Sequence, residues 1–74
     1  MADSPQEQVR AQLLKVLLAK IDEDPYPSVT MMNVAEELLS PDDLEGYAQI
    51  LMNKVTADQF PSIPMIDRIR DLVG

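Results

Sequence analysis

Seventy-four residues are enough for one small domain, near the lower limit at which a chain builds its own core. With no cysteine and no histidine, the chain has no disulfide, no thiolate zinc site and no Cys–His or Ser–His catalytic pair. A net charge of −7 repels phosphate backbones and anionic membranes and attracts basic partners.

The chain opens on a short tail, Met1 to Asp3, before Ser4-Pro5-Gln6-Glu7 marks a helix start. Ser4 is the N-cap, Pro5 occupies the first turn where a missing N–H costs nothing, and Glu7 completes a capping box. The first predicted helix runs from 5 to 22. Its apolar residues (Val9, Ala11, Leu13, Leu14, Val16, Leu17, Leu18, Ala19 and Ile21) cover more than one stripe and leave only Gln8, Gln12 and Lys15 as a consistently wet edge. A surface helix needs an apolar face of only about 100°. Helix 1 is therefore expected to be central, or to turn part of itself toward a second chain.

Pro25 and Pro27 end that helix by removing two donors and forcing Asp24 and Tyr26 into extended backbone. Ser28 then caps a second helix, 29–39, with Met31, Val34, Ala35 and Leu38 on one face, and Tyr26 stands where a staple residue folds back on the first turn. Ser40-Pro41-Asp42-Asp43 restarts the chain with two carboxylates at a positive helix end. The third helix, 41–55, presents Leu44, Tyr47, Ala48, Leu51, Met52 and Val55 inward, and Gly46 in its interior suggests a close helix–helix approach. Ser62 caps a fourth helix, 63–73, lined by Met65, Ile66, Ile69, Leu72 and Val73, with Arg68 and Arg70 outward.

The two corners echo each other. Asp24-Pro25-Tyr26-Pro27-Ser28-Val29-Thr30-Met31 returns as Asp58-Gln59-Phe60-Pro61-Ser62-Ile63-Pro64-Met65, an offset of 60 − 26 = 34. Between 20–39 and 54–73, six of twenty pairs are identical, against roughly one expected by chance. The period equals that of tetratricopeptide repeats. The Trp, Leu-Gly and Tyr pattern of that family's first helix is missing, so no membership follows. The expected architecture is an all-α domain spanning 1–74, a small bundle of four short helices built as two similar helix–corner–helix units related by a pseudo-two-fold.

Chemistry is sparse. No glycine-rich loop cradles a phosphate, and Asp22-Glu23-Asp24 lacks the spaced oxygens and turn glycine of a calcium loop. A helix–turn–helix reading of helices 2 and 3 fails on sign, because the recognition helix would begin Pro41-Asp42-Asp43-Leu44-Glu45. The longest apolar run, Val16 to Ala19, is far too short to span a bilayer. The expectation is a cytoplasmic, non-enzymatic protein with no cofactor, no metal, no direct nucleic-acid contact and no membrane contact.

What remains is interaction. From Asp22 to Glu45 stand eight acids and no base, either a solvated face or a docking field for a basic protein. The corners also carry two readings: Tyr26 and Phe60 plug the gap between helices, or they present matched docking points. Met31 and Met32 suit an adaptable surface, although methionines at helical spacing also serve as core. The candidate partner-binding residues are Tyr26, Met31, Met32, Glu36, Glu37, Asp42, Asp43, Phe60 and Met65. A self-associating interaction module, dimeric through surplus apolar surface on helix 1 or helix 4, is the leading expectation. The alternative is an acidic regulator or nucleic-acid mimic, of phage or plasmid type, occupying a basic partner's site.

Overall fold

The computed structural model describes residues 4–74. Four α-helices and no strand occur among them: α1 Pro5–Glu23, α2 Val29–Leu38, α3 Pro41–Ala57 and α4 Ile63–Leu72. The expected frayed tail, 1–3, lies outside the described residues. The chain divides into two units, Met1–Leu39 and Ser40–Gly74. In the first, α1 packs on α2; in the second, α3 packs on α4.

Local chemistry sets each boundary. Ser4 Oγ accepts the Glu7 N–H at 3.2 Å and opens α1. At the far end Asp24 is extended, and its N–H closes the last turn on the Lys20 carbonyl at 3.2 Å. Ser40 starts α3 by another route: its hydroxyl donates to Asp43 Oδ2 at 2.7 Å, and its N–H reaches the same oxygen at 3.4 Å. The sequence places the end of α2 one residue later, at Leu39. That residue is extended instead, at φ −62° and ψ 133°, directly before the pre-proline Ser40. In the other direction α3 continues two residues past Val55, because no breaker intervenes before Pro61.

The first unit buries Leu14 and Ile21 from α1, Pro27 from the corner, and Met32 and Ala35 from α2. In the second unit all the buried residues come from α3: Tyr47, Ala48 and Leu51. Helix α4 contributes only half-buried side chains, among them Met65, Ile69 and Leu72. Within the first unit the fully buried residues of α1, Leu14 and Ile21, lie on one side of the helix. Gly46 corrects an expectation. A Cβ added there meets nothing within 4 Å, so α4, the helix that packs on α3, does not approach it closely.

Candidate interaction surface

The two corners have closely similar backbones. Helix ends flanking them fall at one offset, Glu23 and Ala57 before, Val29 and Ile63 after. Asp24 sits at φ −91° and ψ 120°, Asp58 at φ −84° and ψ 133°. Ser28 Oγ accepts the Met31 N–H at 3.0 Å, and Ser62 Oγ accepts the Met65 N–H at 3.3 Å. A Ser-x-x-Met step after an aromatic-proline pair therefore gives the same cap twice, since an extended serine places its hydroxyl against the third following amide.

The aromatic residues do not plug these corners. Tyr26 is 77% exposed and Phe60 is 85% exposed. At the first corner Asp24 Oδ1 accepts the Tyr26 N–H at 2.9 Å, an Asx turn that tightens the chain there. Nor does Tyr26 act as the staple on α2. The residue directly before the Ser28 cap is Pro27, and it is buried together with Met32, the two positions that a hydrophobic staple uses.

The remaining candidate residues scatter in character. Met31 and Met65 are half-buried, whereas Met32 belongs to the core of the first unit. Glu36 is half-buried and Glu37 exposed; the Glu37 backbone carbonyl accepts from Arg10 Nη2 at 3.3 Å, tying α2 to α1. Asp42 is exposed, while Asp43 is half-buried and committed to capping α3. Five of the eight acids between Asp22 and Glu45 (Asp22, Glu23, Asp24, Glu36 and Glu37) fall in the first unit, and Asp42, Asp43 and Glu45 in the second.

A surface not among those nine residues stands out on α1. Val9 is 63% exposed, Leu13 44% and Val16 54%. At 100° per residue their directions fall within about 60° of one another. The buried pair Leu14 and Ile21 lies roughly 120° round the helix from them. These two faces account for the broad apolar coverage of the sequence: one serves α2, and the other meets solvent. The spacing i, i+4, i+7 was the signal available in the sequence, but it was merged there with the packed face. Beside it, Pro5, Gln6, Glu7, Val9, Arg10 and Leu38 line a shallow open depression of about 560 Å³.

Among the described residues no group of three or more acids is placed to hold a metal ion, and no helix is long and apolar enough to cross a membrane. Comparisons with protein-family models, with curated proteins and with solved structures find no match to this chain.

Proposed function

We propose that this chain is a small, acidic, non-enzymatic protein–protein interaction module that associates with copies of itself. The observation that carries the reading is the solvent-facing stripe Val9-Leu13-Val16, set apart on α1 from the face that packs on α2. Ordered apolar residues on one face of a well-capped helix favour burial against another protein. A chain near the lower size limit for a core gains stability from such association. We read the two units as copies of one hairpin, on the strength of the shared 34-residue offset and the paired serine caps. A cytoplasmic location accompanies this reading.

Sedimentation velocity over a dilution series tests it. The expected result is a dimer at about 100 μM that dissociates on dilution, as mass action requires. A single monomeric boundary at the highest concentration overturns it. Salt separates this reading from that of an acidic mimic. Burial of an apolar stripe persists at high ionic strength, while capture by a basic partner through the acids between Asp22 and Glu45 weakens with screening.

A further inference from the structure

We propose that the peptide bond between Asp24 and Pro25 is an acid-triggered self-cleavage site, at which the chain cuts itself into 1–24 and 25–74 and parts α1 from α2. The proposal does not rest on self-association.

The chemistry belongs to the residue pair. An aspartyl carboxyl group lies close enough to its own backbone carbonyl to attack it and close a five-membered cyclic anhydride. The new bond joins the carboxyl oxygen to the carbonyl carbon, and the bond from that carbon to the nitrogen of residue 25 breaks. Its electron pair leaves with the nitrogen, which takes a proton from the acidic solvent. Water then opens the anhydride and leaves Asp24 as a C-terminal residue with two carboxyl groups. Proline favours the step, because its nitrogen belongs to a tertiary amide and is more basic than an ordinary peptide nitrogen. Of the eight aspartates in the chain, only Asp24 precedes a proline.

The fold leaves this bond open to water and acid. Asp24 and Pro25 are both exposed. Asp24 is the C-cap of α1 and is extended, at φ −91° and ψ 120°. Residue 25 has no N–H, so the peptide unit that breaks donates no hydrogen bond that would hold it in the helix. The Asp24 carboxylate is turned forward along the chain, where Oδ1 accepts the Tyr26 N–H at 2.9 Å across the proline. The second corner is a control inside the same molecule. Asp58 has nearly the same backbone, at φ −84° and ψ 133°, but it is half-buried and is followed by Gln59.

Scission at the first corner divides the core of the first unit. Leu14 and Ile21 stay on one fragment, and Met32 and Ala35 go with the other. The fragment 1–24 also carries the Val9-Leu13-Val16 stripe. A hairpin held by one chain becomes an encounter between two.

Intact-mass spectrometry of the full chain, held at about pH 3, just below the ordinary aspartate range, tests this. The masses of 1–24 and 25–74 are expected to grow together and to sum to the parent plus one water. Pro25→Ala, which removes the leaving group, and Asp24→Glu, which keeps the charge but enlarges the ring, are each expected to suppress that pair. Gln59→Pro is expected to create a second pair, 1–58 and 59–74. Circular dichroism at the same pH shows whether parent and variants remain helical. Equal scission after Asp58 in the parent, or undiminished scission in Pro25→Ala, overturns the proposal. So does a helical parent that stays whole while a synthetic peptide of residues 22–28 is cut, since the folded corner then protects the bond.

Discussion

The two units start from nearly the same corner and finish with different cores. In the first, burial is shared across the hairpin, with Leu14 and Ile21 on one helix and Met32 and Ala35 on the other. In the second, Tyr47, Ala48 and Leu51 supply every buried side chain from α3, and α4 supplies none. The positions matching Met32 and Ala35 at the 34-residue offset are Ile66, exposed, and Ile69, half-buried. Pro27 is buried at the first corner, and Pro61 is exposed at the second. Closely matched caps and backbone angles therefore do not dictate how deeply the following helix packs. A corner sets where the second helix begins; the side chains beyond it set how firmly that helix is held.

The largest expected effects lie in that contrast. Met32→Ala removes a buried side chain and should destabilise the chain by about 2–5 kcal/mol. Ile66→Ala, its counterpart, should cost less, about 1–2 kcal/mol, since that residue is 38% exposed and its burial is incomplete. Between the first helices the order inverts: Leu51→Ala belongs to the large class, and Leu17→Ala, at a half-buried position, to the smaller one. Urea denaturation of the four variants at one protein concentration measures all of these. Amide exchange adds an independent check, because a helix with no buried side chain should open at lower free energy, so α4 should exchange before α2. Equal losses at Met32 and Ile66, with equal protection in α2 and α4, would erase the difference between the units.

Helix starts and corners were legible in the sequence because their causes are local. Proline removes a donor, serine caps the third amide on, and neither depends on distant residues. The assignment of faces was less legible. The apolar residues of α1 form two faces, and composition alone does not separate a face that packs from one that meets solvent. Tyr26 and Phe60 were open to either reading for a related reason. An aromatic ring beside proline fills a gap only if the neighbouring helices leave one of suitable size, and that is a property of packing. Met32 and Met31 show the same limit at adjacent positions, one in the core and the other half-buried.

The caps sharpen the comparison from the opposite side, since here the units should agree. Ser28→Ala and Ser62→Ala each remove the acceptor of one amide at the start of a ten-residue helix. Each should cost about 1 kcal/mol. The two losses should lie within a few tenths of each other in urea midpoint multiplied by slope. A loss at Ser28 several times that at Ser62 would mean that the corners resemble each other in geometry but not in energy.

The smallest effect concerns Gly46, whose counterpart at the 34-residue offset is Gln12 in α1. Both positions are exposed within long helices, yet only α3 carries a residue that destabilises a helix interior. Had a neighbouring backbone required that glycine, a methyl group would clash. Instead, a Cβ at residue 46 has open space within 4 Å. Gly46→Ala should therefore raise stability by roughly 0.5–1 kcal/mol, mostly by restricting the unfolded chain. For a domain of this size that corresponds to a midpoint higher by several degrees in thermal denaturation. A fall in the midpoint would require a close contact at residue 46 and would return the glycine to the role its sequence position first suggested.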